Sequence, residues 1–317
     1  MIRKRHLALS ALAIATAARR AAAQWTPSRP VRVVVGFAPG GPADVIARII
    51  ADRMAERLGQ SVVVENRVGA GGNIAAEHVA RAAPDGHTLM LAASALVQNA
   101  AMFPRLPYDP LRDFTPISQL TSYPLIVVVT PSLPANTLQE LAAVARRQPG
   151  GVTYGSAGVG TPLHLTGTLF GLLANVEMTH VPFAGAAPAH TALLAGQVQA
   201  VFHNPVQATP SLRGGLIRPL AATGEARMAA FPEVPTAAEA GFPDLIASVW
   251  HGLVGPGGMP SAATARLGAV SREVMALEEV RTALTRQGYE VRGTTPDEFA
   301  AYTRAESEKW SDVIRRA

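Results

Sequence analysis

Two stretches hold the residue types best suited to chemistry: Val35–Arg48, VGFAPGGPADVIAR, and Tyr154–Leu165, YGSAGVGTPLHL. Each joins an apolar strand pattern to a helical one through glycines, with proline (Pro42, Pro162) at the first helical position. Such junctions present backbone N–H groups at the positive end of a helix, which suits an anion. The first junction also fits a plainer account, in which Gly40 and Gly41 make a tight turn and Asp44 complements the helix dipole. Two junctions of one grammar can face each other across a cleft, and the pairing favours the anion cradle. Thr161 stands where the second helix would be capped. His164, in that helix's first turn, is placed either to donate to a ligand or to pack and cap.

Other chemistries fail on detail. Gly155, Gly158 and Gly160 are spaced G-x-x-G-x-G, the wrong order for a dinucleotide fingerprint, and Gly69-Ala70-Gly71-Gly72 has Ile74 where the third glycine should stand. A phosphate-binding loop needs Gly-Lys-Ser/Thr, yet Lys309 is the sole lysine after Lys4. Tyr154 precedes Ser156 by two residues, so Ser156 is not on a nucleophile elbow. His78, His87, His164, His180, His190, His203 and His251 are scattered without metal-ligand spacing. No catalytic set emerges, and no metal or cofactor is expected.

The elements that must hold these loops belong to a globular chain. Of 317 residues, 48% are hydrophobic and 16% charged, enough for two α/β lobes with full cores. Residues 1–23 read as a secretory signal peptide: basic MIRKRH, apolar LALSALAIATAA, then Ala21-Ala22-Ala23 before the cut. That leader carries Arg3, Lys4, Arg5, Arg19 and Arg20, and taking these five from 28 leaves 23 basic residues against 23 acidic. The net charge of +5 is therefore the leader's, and no basic excess remains for nucleic acid. With no cysteine, disulfides and thiolate chemistry are excluded as well. An exported, disulfide-free, neutral monomer fits the bacterial periplasm.

Past the leader, strand and helix patterns alternate. Val31–Phe37 reads as a buried strand, and Ile46, Ile50, Met54 and Leu58 make one helical stripe ended by Gly59. Ser61–Asn66 and Thr88–Ala93 are strands around a helix at Ile74–Arg81, and Tyr123–Thr130 (YPLIVVVT) reads as one long strand. A second series follows, with strands at Val152–Ser156, Met178–Phe183, Val198–His203 and Ile217–Thr223 and helices at Pro162–Leu173 and Pro188–Leu194. Ile246–Val254 is strand-like, and Ser261–Leu277, Glu278–Gln287 and Pro296–Arg316 are helical. Thr137/Glu140, Thr236/Glu239 and Thr295/Glu298 have capping-box spacing. In two doubly wound lobes of this kind, ligands sit beyond the C-terminal ends of the strands.

Read in order, VGFAPGGPADVIAR, VVVENRVGAGGNIAAEHVARAAPDGHTLML, LPYDPLRDFTPIS, YGSAGVGTPLHL, HVPFAGAAPA, LLAGQVQAVFHN and VPTAAEAGFP resemble the tripartite tricarboxylate transporter substrate receptors, the Bug proteins. The resemblance implies a type 2 periplasmic binding protein fold, with two α/β lobes joined by two crossover segments around a ligand cleft. It places lobe 1 at 25–125 plus 242–317 and lobe 2 at 126–241. It implies capture of a small organic carboxylate and delivery to integral-membrane permease subunits, without enzymatic chemistry. Carried onto this chain, the ligand residues are Phe37, Gly40, Gly41 and Asp44 from one lobe and Ser156, Ala157, Gly160, Thr161 and His164 from the other. Ser94 and Asn204 are further cleft-lining candidates. His203 stands where family members often carry Asp, which suggests a ligand whose far end is acidic or neutral, and Pro42 replaces a common Ser or Thr. A sensory receptor of the same fold is the alternative; an exported hydrolase would need a catalytic set that the chain does not show.

Overall fold

A computed structural model describes residues 25–316 apart from Pro104 and Pro149, so the expected leader over 1–23 lies outside the described residues. Val31–Val35 (β1) is valine at every position but Arg32, which alone reaches solvent. It leads into Pro42–Leu58 (α1), whose Ile46, Ile50, Met54 and Leu58 are all buried. Fully burying a side chain of that size stabilises by about 1.5–3 kcal/mol, so this stripe fixes α1 on its sheet. Gly59 ends the helix in the left-handed conformation, at φ 65°.

The first lobe continues with Val62–Asn66 (β2), a short 3-10 turn at Ala70–Gly72, and Asn73–Ala80 (α2). Thr88–Ala93 (β3), Ala95–Met102 (α3) and Phe114–Pro124 (β4) follow. The second lobe runs through Ile126–Val129 (β5), Leu138–Arg147 (α4), Val152–Ser156 (β6), Pro162–Ala174 (α5) and Met178–Pro182 (β7). It closes with Ala186–Leu194 (α6), Ala200–His203 (β8), Pro205–Arg213 (α7) and Arg218–Ala222 (β9). The chain then returns to the first lobe through Ser248–Pro256 (β10), Ser261–Met275 (α8), Glu278–Arg286 (α9), Glu290–Val291 (β11) and Pro296–Arg316 (α10).

Two sheets result, ordered β11-β4-β10-β3-β1-β2 and β7-β6-β8-β5-β9. In the first, β1 runs parallel to β2 and β3; in the second, β6 runs parallel to β7 and β8. The strands that carry the chain between sheets lie antiparallel: β4 and β10 in the first, β5 in the second. Parallel strands connected by helices place every strand-to-helix loop at one sheet edge, and that edge holds the candidate site.

The apolar run Tyr123–Thr130 is not one strand. Pro124 pairs with Ser248 in the first sheet, whereas Ile126 pairs with His203 in the second, and the change of sheet falls at Leu125. The return crossover lies beside it. Thr223, fully buried, accepts the Leu125 N–H at its Oγ1 (2.9 Å) and donates to the Ala247 carbonyl (2.6 Å). One side chain thus ties both crossovers together. The Thr236/Glu239 pair makes both bonds of a capping box, but no helix follows: Thr236 bridges Ala222 and Ala237–Ala240 form turns.

Candidate functional site

The first loop is shaped by Asp44. Its carboxylate is buried and receives four hydrogen bonds: Oδ2 from the Gly40 N–H and Arg48 Nε (both 2.9 Å), Oδ1 from Arg48 (3.0 Å) and Asn66 Nδ2 (2.9 Å). The Arg48 guanidinium, against the opposing effect of burial, holds the Asp44 carboxyl down at about 2. Gly40 turns back at φ 77°, where a residue with a Cβ is strained. Both Asp44 oxygens are thus filled from within the chain, and the side chain braces the loop.

The glycine N–H groups, expected as ligand donors, are claimed inside their own loops. Gly40 donates to Asp44 and Gly41 to the Ala38 carbonyl (3.1 Å). In the second loop Gly160 donates to His164 Nδ1 (3.2 Å). Among the described residues no acceptor takes the N–H of Ala43 or Asp44 on α1, nor of Leu163 or His164 on α5. The free donors therefore lie in the first helical turns, behind the glycines, where the helix dipole is positive.

The second loop is braced by imidazoles. Ser156 is fully buried; its Oγ accepts the Gly158 N–H (3.1 Å) and hydrogen-bonds His180 Nε2 (2.6 Å), so the hydroxyl organises the loop from behind. His164 lies against His180 with ring centroids 3.9 Å apart. Burial, then the neighbouring His180, lowers His164 to about 4, and with Nδ1 accepting from Gly160 its proton sits on Nε2. Thr161 occupies the N-cap but does not cap with its side chain; its hydroxyl donates to the Gly158 carbonyl (2.7 Å). Ala157 packs on the core.

Asn204 caps α7, with Oδ1 accepting from Val206 (2.8 Å) and Gln207 (3.3 Å). Ser94 is buried at the start of α3, with its backbone N–H on the Trp250 carbonyl (3.1 Å). His203 is fully buried; its Nε2 meets His190 Nδ1 (2.9 Å), and His190 continues to Ser211 (2.8 Å). Since its ring turns toward α6 and α7, the inference from His203 about the ligand's far end loses its footing.

Phe37 is half-buried and packed against a loop absent from the expected set. Gly69, Gly71 and Gly72 all have positive φ (141°, 64°, 94°). A Cβ on Gly36 would come 2.8 Å from the Gly72 Cα, and one on Gly72 would come 3.5 Å from the Phe37 ring. The signal was present in the sequence: Gly69–Asn73 fails as a dinucleotide fingerprint but is another strand–glycine–helix junction. The lobes meet where α10 packs against α5 and also at the loops. A Cβ on Gly160 would stand 3.6 Å from Met102 and 3.7 Å from Asn99, and Val206 of the second lobe abuts Gly288 of the first.

Two sheets, two crossovers tied at Thr223 and a glycine-led helix N-terminus in each lobe define a two-lobed binding protein of the type 2 periplasmic class. The family described as "Tripartite tricarboxylate transporter family receptor" matches residues 46–317, and the chain belongs to that family. Protein BugT of Bordetella pertussis is 35% identical over 315 residues, covering 98% of this chain and 97% of BugT. Among solved structures, MatC from Rhodopseudomonas palustris with bound malate is 38% identical (TM-score 0.76; 91% of this chain, 99% of that one). A second R. palustris protein, solved with adipate, is 34% identical (TM-score 0.78; 91% and 97%). The family is one of solute-binding receptors rather than enzymes.

Asp44 gives a prediction with a defined sign. A carboxyl whose folded pKa is about 2, below the ordinary 3.8, adds stability that is whole above 3.8 and is lost as pH falls through 2. Asp44→Asn should abolish this acid step in urea midpoints measured from pH 5 to pH 2. In calorimetry it should weaken amino-bearing and amino-free acids alike, by about tenfold. A loss confined to amino-bearing acids would return Asp44 to direct ligand contact.

Proposed function

We propose that this chain is exported to the periplasm, captures a small organic carboxylate between its lobes and presents it to an integral-membrane permease. The observation that carries this reading is the pair of helix N-termini, α1 and α5, each following a glycine loop at the C-terminal edge of a sheet and each with unclaimed first-turn N–H groups. A charged ligand strengthens each such hydrogen bond to about 1.5–3 kcal/mol, so a few support micromolar binding. The malate and adipate in the two relatives are carboxylates of the expected size.

In this reading the first lobe comprises 25–125 and the C-terminal segment, and the second begins at 126. We set the return boundary at Ala247–Ser248 rather than at 242, because Phe242 packs against Phe170 of α5 (tilted rings, centroids 5.4 Å apart). Lobe closure excludes water and strengthens the hydrogen bonds around the anion. Phe37, Ala157 and Thr161 line the closing gap, while Gly40, Gly41, Asp44, Ser156 and Gly160 shape the two loops around it.

The test is a thermal-shift screen of di- and tricarboxylates, acidic amino acids and aromatic acids, followed by uptake of the best ligand in a deletion strain. Ligand at a hundredfold excess over its Kd should raise the melting temperature by about 5 °C. A screen in which no carboxylate stabilises the protein would sink the reading. Stabilisation with unchanged uptake in the deletion strain would assign the receptor to a signalling partner.

A further inference from the structure

Asn99, on α3, is buried, and its amide is oriented by its neighbours. Nδ2 donates to the Gly71 carbonyl (3.3 Å) and to Asn73 Oδ1 (2.8 Å), and Asn73 Oδ1 also receives the Tyr108 hydroxyl (2.7 Å). A backbone carbonyl only accepts, so the group facing Gly71 must be the NH2. Flipping the amide would set oxygen against oxygen. Oδ1 is thereby fixed on the other side, 3.7 Å from the position of a Cβ on Gly160. No donor among the described residues reaches this Oδ1, and unlike the amide of the neighbouring Gln98 it is not sealed from solvent. Asn73, Asn99 and Tyr108, with Phe37, line a small cavity of about 10 Å³.

We propose that Asn99 is a specificity-determining residue, whose fixed acceptor reads a hydroxyl or amino group borne by the captured acid. The proposal rests on the carboxylate reading above and narrows it to substituted acids. When the lobes close, an acceptor left without a donor loses its water and gains nothing, and a carboxylate oxygen brought against it is repelled. A ligand O–H or N–H removes both penalties. The Gly71 carbonyl and the Tyr108–Asn73 pair keep the amide from turning to suit a plain acid.

Calorimetry with matched pairs tests this: malate against succinate, aspartate against succinate, 3-hydroxybutyrate against butyrate, mandelate against phenylacetate. Within whichever pair binds, the substituted acid should bind about 30-fold more tightly. Asn99→Leu should remove that preference by weakening the substituted acid alone, leaving the plain acid within about twofold. Should Asn99→Leu fail to fold, Asn99→Ala and Tyr108→Phe carry the comparison, the latter lowering the preference by freeing the amide. Equal binding of both members by the natural protein overturns the proposal. So does equal weakening of both by the variant, which would mark Asn99 as structural. Binding of no acid in any pair overturns this proposal, and the carboxylate reading falls with it only if the wider screen is empty as well.

Discussion

Gly160→Leu is expected to weaken ligand binding by about 100-fold, near 2.7 kcal/mol, while the protein stays folded. Two features of the position combine. Its φ of 81° lies in the left-handed region, where a side chain costs about 1–2 kcal/mol. Its missing Cβ faces the other lobe, with Met102 at 3.6 Å and Asn99 at 3.7 Å. The first Cβ is accommodated at ordinary contact distance, so Gly160→Ala should cost mainly the backbone strain and little affinity. Leucine's further carbons have nowhere to go except into the gap that must close. Strain relief would also pull the Gly160 N–H from His164 Nδ1 and disturb the start of α5, where the free donors lie. Calorimetry for affinity and thermal melts for stability separate the two effects. A Gly160→Leu protein that binds as tightly as its parent would remove the second loop from the site.

The strand-to-helix loops were legible because hydrophobic period and Gly/Pro punctuation both change there. Ile46, Ile50, Met54 and Leu58, all buried, read as a stripe from their spacing alone. Strand β4 did not show itself, since Ser118, Gln119, Thr121 and Ser122 give no apolar pattern although all are buried. They are tolerated inside because they are paired: Ser118 Oγ donates to the Thr294 carbonyl (2.8 Å), and Thr121 Oγ1 meets His251 Nδ1 (3.1 Å). Helix α3 was missed for want of a start signal, as Ser94 offers no side-chain cap. The change of sheet at Leu125 was invisible because the chain is apolar on both sides of it. In the site, glycine placement was readable, but the direction of each glycine N–H was not. That depends on the sign of φ and on acceptors such as Asp44 and His164, which distance along the chain does not specify.

Those buried imidazoles lead to the second large effect, a loss of stability in mild acid. His203 and His251 are buried, and burial lowers each to about 4; His164 reaches about 4 through burial and then His180. For a histidine whose folded pKa lies below its unfolded value of 6.5, the unfolded chain binds more protons between the two. Stability is therefore whole above 6.5 and drains away as pH falls toward 4, the opposite of a histidine held in an ion pair. A tenfold difference in proton affinity between the folded and unfolded chain is worth about 1.4 kcal/mol, so each fully buried ring withdraws about 2–3 kcal/mol by pH 4. The two buried rings, His203 and His251, together approach the lower end of the net stability of an ordinary domain, about 5–15 kcal/mol. Urea midpoints should fall steeply from pH 6.5 to pH 4, before the Asp44 step begins. Of the three, His203 is the sharpest test, because among the described residues its Nδ1 has no partner and its Nε2 serves only His190. His203→Gln keeps a group able to reach His190 and removes the titration, so its midpoint curve should be flatter over this range by about one ring's share. Parallel curves for the variant and its parent would show that the His203 ring takes up its proton without unfolding the lobe around it.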